Sequence, residues 1–164
     1  MAAALFPGSF DPITNGHVDI VKKAAGMFEK IYVVVMTNTH KKYLFSPEER
    51  ASLVKSALKE FKNVEVLARP DALTVNVANE LKVKAIIRGV RNSQDFLYEQ
   101  QIAGINEQLN NKIHTILLFT DPENSFVASS MIKEVAKFDG NIARFLPIEA
   151  AKAVKEKFNK KDES

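Results

Sequence analysis

The chain contains no cysteine. Disulfides, thiolate-bound zinc and a cysteine nucleophile are therefore excluded. Histidine is scarce too: His17, His40 and His114 form no pair at metal-ligand spacing, so any metal is expected to arrive with a ligand. No apolar run approaches the roughly 20 residues of a membrane span. The amino end has no charged region leading into an apolar signal segment, and cytoplasmic residence without a membrane partner is the expectation. Charge of neither sign dominates, with 23 basic and 20 acidic residues. The basic excess falls largely between Lys152 and Lys161, where acids are interleaved, which reads as a solvated helix face rather than a nucleic-acid surface. Both common phosphate-loop patterns, Gly-x-x-x-x-Gly-Lys-Ser/Thr and Gly-x-Gly-x-x-Gly, are missing.

What is present is enough apolar material, 46% of 164 residues, to build one core without a staple. Ile31 to Met36 is a β-branched run without alternation, as a strand covered on both faces requires. Ala2 to Phe6, Val64 to Leu67, Ala85 to Arg88 and Ile113 to Phe119 read as further strands. Between them lie helical stretches: one from about His17, one after Ser46, then Leu73 to Leu81, Gln94 to Leu109, one from about Ser129, and one from Ile148 towards Phe158. Ser46-Pro47-Glu48-Glu49 supplies an N-cap, a first-position proline and a capping box. The alternation predicts an α/β fold, a Rossmann-like parallel five-stranded sheet with helices on both faces, in a single domain over 1–164. Asn159 onward, without an apolar residue, is expected to be a frayed end. In such a sheet ligands gather beyond the carboxyl ends of the strands, at a switch in strand order.

Leu5 to His17, LFPGSFDPITNGH, organises the rest. A short apolar run breaks at Pro7-Gly8, and an apolar-periodic segment begins after Gly16, so His17 stands near a helix amino end, where unpaired N–H groups and the helix dipole favour an anion. Gly8 and Gly16 allow close backbone approach, and Ser9 and Thr14 add hydroxyls. A phosphate-rich ligand suits this loop; a histidine that merely caps the helix is the competing reading.

Thr14-x-Gly16-His17, preceded by Pro7-Gly8-Ser9-Phe10-Asp11-Pro12, resembles the T/H-x-G-H signature of the nucleotidylyltransferase superfamily. Ile87-Arg88-Gly89-Val90-Arg91, Asp95-Phe96-x-Tyr98-Glu99 and Ser125-Phe126-x-x-Ser129-Ser130-x-x-Lys133-Glu134 follow in order. Together the four stretches resemble the bacterial phosphopantetheine adenylyltransferase family over nearly the whole chain. The resemblance implies adenylyl transfer from ATP, with Mg2+, to 4'-phosphopantetheine, in a homohexamer subject to feedback by coenzyme A. A sister transferase with another acceptor, or a non-catalytic nucleotide- or nucleic-acid-binding module, is the alternative.

Attack by a phosphate oxyanion needs no general base; it needs alignment and relief of anionic repulsion. The resemblance implies His17 as transition-state stabiliser, with Lys41 and Arg91 assisting, and leaves Lys42 as the competitor of Lys41. It puts Ser9, Phe10, Gly89, Val90, Arg91 and Glu99 at the ATP, together with the run Asn124, Ser125, Phe126, Val127, Ala128, Ser129 and Ser130. Arg88 and Lys41 are implied at the acceptor phosphate, with Ser9 beside them; Ile102 and Asn106, three and seven residues beyond Glu99 on one helix face, are read as one wall for its arm, and Leu73 and Thr74 as another. Ordinary surface ion pairs compete for the arginines, core packing for Ile102 and Leu73, and an N-cap role for the serine pair. A carboxylate beside triphosphate would repel it, so Glu99 is expected near the adenosine or as a partner ordering Arg91. The sequence departs from the family pattern at Asn124, where an aromatic is common, and at Ala128, where a serine often stands.

Overall fold

A computed structural model describes residues 2–162. Five strands, β1 (Ala3–Gly8), β2 (Lys30–Val35), β3 (Val64–Ala68), β4 (Ala85–Val90) and β5 (His114–Phe119), alternate with helices α1 (Asn15–Ala25), α2 (Pro47–Ala57), α3 (Thr74–Glu80), α4 (Ser93–Leu109), α5 (Ser129–Lys137) and α6 (Ile148–Asp162). All strand pairs are parallel, in the order β3-β2-β1-β4-β5. The chain builds outwards from β1 through β2 to β3, then returns to lay β4 against the other side of β1. The β1/β4 boundary is thus the switch point, where the crossovers leave in opposite directions and open a crevice.

The apolar strands are sandwiched, as their lack of alternation predicted. Ala4, Phe6, Ile31, Val33, Val35 and Ile87 face a core completed by Ile20, Val21 and Ala24 of α1, Val54 of α2, Ile132 of α5 and Val154 of α6. Leu5, Val34 and Ile86 point the other way, onto Val75, Val77 and Ala78 of α3. Period-two alternation of side chains explains how one run of valines feeds both cores. The Ser46 capping box forms as written, with Pro47 opening α2.

Several boundaries shift. β1 and β4 continue to Gly8 and Val90, so Gly89 sits inside a strand rather than after it, and Arg88 inside it rather than at its end. Asp121-Pro122-Glu123-Asn124 contains one 3-10 turn, Pro122–Asn124. α6 remains helical past Asn159 to Asp162; residues 163–164, the rest of the expected tail, lie outside the described residues.

Candidate functional site

The carboxyl ends of β1, β2, β4 and β5 surround a cleft of about 950 Å³. His17, Lys41, Arg88 and Arg91 all line it, with Ser9 and Phe10 from the β1 loop and Gly89 from β4. Thr14 caps α1 reciprocally. The His17 N–H donates to Thr14 Oγ1 at 3.3 Å, and the Thr14 N–H donates to His17 Nδ1 at 3.0 Å. Imidazole thus takes the capping-box place that Glu or Gln usually fills. This settles the tautomer: a neutral ring whose Nδ1 accepts carries its hydrogen on Nε2. The two readings of His17 are therefore compatible, because capping occupies one nitrogen and leaves the other as a donor.

The ring is held neutral. Burial, followed by the charges of Arg91, Arg88 and Lys41, lowers its pKa from 6.5 to about 4. Three cations, two from β4 and its carboxyl end and one from the segment after β2, thus act on one imidazole. Phe10 supports it from below, with ring centroids 5.0 Å apart in an edge-on arrangement. Phe10 adopts φ 48, a left-handed conformation unfavourable for a bulky residue. A Cβ at Gly8 would lie 2.8 Å from Phe10 Cζ, so glycine is needed there to admit the ring.

Both arginines are anchored. Arg88 Nε and Nη2 donate to Glu99 at 2.7 and 2.8 Å, and Nη1 donates to the Pro7 carbonyl at 2.8 Å. Arg91 makes the equivalent fork to Asp95, at 2.8 and 3.1 Å, and Nη1 reaches the Val127 carbonyl at 3.2 Å. The expectation that Glu99 orders Arg91 is corrected: Asp95 holds Arg91, one helical turn earlier, and Glu99 holds Arg88. The paired guanidinium, chiefly by hydrogen bonding, keeps the Asp95 carboxyl below the usual range.

Leu73 and Thr74 form one wall of the same cleft, and Ile102 and Asn106 form another beside Glu99. Val127, Ala128, Ser129 and Ser130 close the far side. No side chain caps α5, so its first N–H groups remain without a side-chain partner, while Ser129 Oγ donates to the Pro12 carbonyl at 2.9 Å. Four expected residues stand outside the cleft lining. Val90 is buried. The Asn124 amide turns to Asp19 on α1, at 2.6 Å, and the Ser125 hydroxyl folds back onto the Pro122 carbonyl. Asn124 and Phe126 instead line a smaller cavity of about 360 Å³ with Asn15 and Arg144.

Sequence reasoning passed over Asp11 and gave no role to Asp95. Asp11 is buried and accepts from the Leu44 and Phe45 N–H groups and from Lys133 Nζ, tying the loop after β1 to the segment before α2 and to α5. Its place in the Phe10-Asp11-Pro12 motif was the available signal. No cluster of three metal-ligating side chains occurs among the described residues, and the cleft's carboxylates, Asp11, Asp95 and Glu99, are each bonded to a cation.

A switch-point cleft that offers a neutral imidazole donor amid cations, with its carboxylates committed to cations, is suited to moving a nucleotidyl group between anions; this is the chemistry of the nucleotidyltransferases. Residues 5–135 match the cytidylyltransferase-like family. Phosphopantetheine adenylyltransferases from Lactobacillus acidophilus and Lactobacillus helveticus are 64% and 65% identical, each over 96% of this chain and 98% and 96% of theirs. That of Caldanaerobacter subterraneus is 44% identical over 98% of this chain and 99% of its own. The chain belongs to the phosphopantetheine adenylyltransferase family. A Vibrio parahaemolyticus structure described as a candidate nicotinate-nucleotide adenylyltransferase shares the fold, with TM-score 0.63 and 12% identity over 93% of this chain and 97% of that one.

Proposed function

We infer that the protein transfers the adenylyl group of ATP to the phosphate of 4'-phosphopantetheine, giving dephospho-coenzyme A and pyrophosphate. The observation that carries this reading is the neutral His17 imidazole at the amino end of α1, acted on by Arg91 and Arg88 from the end of β4 and by Lys41 from the segment after β2. The acceptor phosphate attacks the α-phosphate in line, and the barrier lies in bringing two anions together and in the charge that builds on the transferring group. His17 Nε2–H donates to an α-phosphate oxygen, and the dipole of α1 at its amino end supports the same charge. Lys41 and Arg88 receive the acceptor phosphate with Ser9, while Arg91 and Gly89 hold the nucleotide. Ser129, Ser130 and the uncapped end of α5 take the β- and γ-phosphates. The acceptor's arm runs between Leu73 and Thr74 on one side and Ile102 and Asn106 on the other.

Mg2+ enters as MgATP. The protein's own residues do not make a metal cage, because the cleft's carboxylates are committed to Lys133, Arg91 and Arg88. The ion is held by phosphate oxygens and water. Ala128 leaves one hydroxyl fewer for the triphosphate, and with Asn124 turned to Asp19 no aromatic stacks on the base from that position.

The outer face of α4 carries exposed Leu97, Ile105 and Leu109, a suitable surface for assembly of copies into a homohexamer. Coenzyme A, which contains the same arm, is the expected feedback ligand of this cleft. No helix among the described residues is long and apolar enough to cross a membrane, and ATP supply favours the cytoplasm as the site of action. The test is product identification after incubation with MgATP and 4'-phosphopantetheine. CTP, and acceptors such as nicotinamide mononucleotide, serve as comparison arms. Dephospho-coenzyme A formed from ATP alone is the expected result; faster turnover in any other arm overturns it.

A further inference from the structure

One buried cation has no part in the chemistry above. Arg50, in the first turn of α2, is 1% exposed, and its guanidinium lies beneath the carboxyl ends of β1 and β2. Nη1 donates to the carbonyls of Ser9 at 2.8 Å and Met36 at 3.0 Å, and Nη2 donates to Thr37 Oγ1 at 3.2 Å. Its Cζ lies 4.1 Å from the centre of the Tyr43 ring. Every one of these partners is neutral. Among the described residues no carboxylate pairs with Arg50, and Nε is buried without a hydrogen-bond partner. A full charge desolvated against dipoles alone is a poor stabiliser; well-packed apolar side chains fill such a volume more favourably.

What lies above it gives the charge a use. Ser9, Met36, Thr37 and Tyr43 all line the cleft, so a single layer of residues separates the guanidinium from its occupant. Tyr43 Oη accepts from the Asn38 N–H at 2.5 Å, donates to the Asn38 carbonyl at 3.2 Å and lies 3.2 Å from Ser9 Oγ. The Lys41 N–H donates to the same Asn38 carbonyl at 3.0 Å. The segment bearing Lys41 is therefore wound around a phenol that stacks on Arg50. All these contacts fall in the β1–β2 half of the cleft, whereas Gly89, Arg91 and the end of α5 lie in the β4–β5 half.

We propose that Arg50 is a positioning residue for the acceptor's phosphate. From under the floor it fixes Ser9 and, through Tyr43, the Lys41 segment, and its unpaired charge finds its counterion when a phosphate monoester occupies the β1–β2 half of the cleft. This rests on the acceptor reading given above. It bears on the acceptor rather than on the nucleotide, because Arg50 makes no hydrogen bond to Gly89, Arg91, Ser129 or Ser130, the groups that the reading above gives to ATP.

The experiment is titration calorimetry of 4'-phosphopantetheine and of MgATP, separately, into the wild type, Arg50→Met, Arg50→Lys and Tyr43→Phe. Arg50→Met should raise the acceptor Kd about ten- to a hundredfold while the ATP Kd stays within about threefold. Arg50→Lys, which keeps the charge, should recover most of the loss. Acceptor binding unchanged in Arg50→Met, equal loss of both ligands, or no rescue by lysine overturns the proposal. If Arg50→Met does not fold, Tyr43→Phe decides: weaker acceptor binding with unaltered ATP binding supports it, and unaltered binding of both overturns it. A wild type that fails to bind 4'-phosphopantetheine overturns the acceptor reading itself, and this inference with it.

Discussion

Replacing His17 with alanine removes one donor from a site in which the cations stay put, and this sets the size of the effect. The imidazole is neutral at pH 7, its pKa lowered to about 4, and its Nδ1 is occupied by the Thr14 N–H. It therefore contributes one preorganised N–H rather than a full charge. Losing such a donor to developing oxyanion charge costs about 3 to 4 kcal/mol of transition-state stabilisation, a drop in kcat of about 10² to 10³. Folding should suffer little, because the His17 N–H still donates to Thr14 Oγ1 and the lost half of the cap is worth about 1 kcal/mol. The assay is pyrophosphate release at saturating substrates, with the MgATP Kd from calorimetry. A variant within about tenfold of wild-type kcat, or one whose defect appears in Kd, would refute the assignment.

Other outcomes follow from the same geometry. An NMR titration of the ligand-free protein should find His17 neutral from pH 8 down to pH 5. The unfolded chain takes up a proton near pH 6.5 while the folded one waits until about 4. The contribution of His17 to stability is therefore complete above pH 6.5 and declines as pH falls towards 4. The loss is at most about 3 kcal/mol, an upper bound because the ring keeps an edge on the cleft. Urea unfolding of the wild type against His17→Ala measures it, and a His17 pKa at or above 6.5 contradicts it. Glu99→Gln leaves the Arg88 guanidinium without its carboxylate in a largely buried place. It should cost about 2 to 3 kcal/mol in denaturant unfolding and raise the acceptor KM. Gly8→Ala sets a methyl 2.8 Å from Phe10 Cζ, which should cost about 1 to 3 kcal/mol and lower kcat through displacement of the ring that supports His17.

The features legible in the sequence were those carried by local chemistry. β-branched runs without alternation gave strands covered on both faces, and Ser46, Pro47 and Glu49 formed the cap their types predict. His17 stands in the first turn of α1, as the break at Pro7-Gly8 and the later periodicity required. Pairings across space were not legible. Glu99 and Asp95 lie four residues apart on one face of α4, and which of them meets Arg88 depends on how that helix crosses β4. Spacing alone does not specify that angle. Strand ends were misjudged because glycine at 89 reads as a break, although inside β4 it makes room for Ile20, whose Cγ1 lies 3.0 Å from where a Cβ would stand. Nothing in the sequence singles out Arg50, which follows Glu48 and Glu49 in a charged helix turn. Only the packing of α2 beneath β1 and β2 reveals it as buried.

The two kinds of cation in the cleft divide the work. Each arginine is forked onto a carboxylate of α4, and each also donates to a carbonyl of another segment, Pro7 of β1 for Arg88 and Val127 before α5 for Arg91. The guanidiniums are thus immobilised before any ligand arrives, so little rotamer entropy is lost when a phosphate binds. The same pairing offsets part of their charge, and groups that lack a carboxylate partner add to the attraction of anions. Lys41 and Lys42 line the cleft without one among the described residues, and Arg50 lies beneath it in the same state. On the reading proposed above, the two arginines would chiefly set geometry, while two lysines and a buried guanidinium would add to the field. For a reaction that joins two anions without a general base, both are required: the field brings the phosphates together, and the fixed forks determine the line along which they meet.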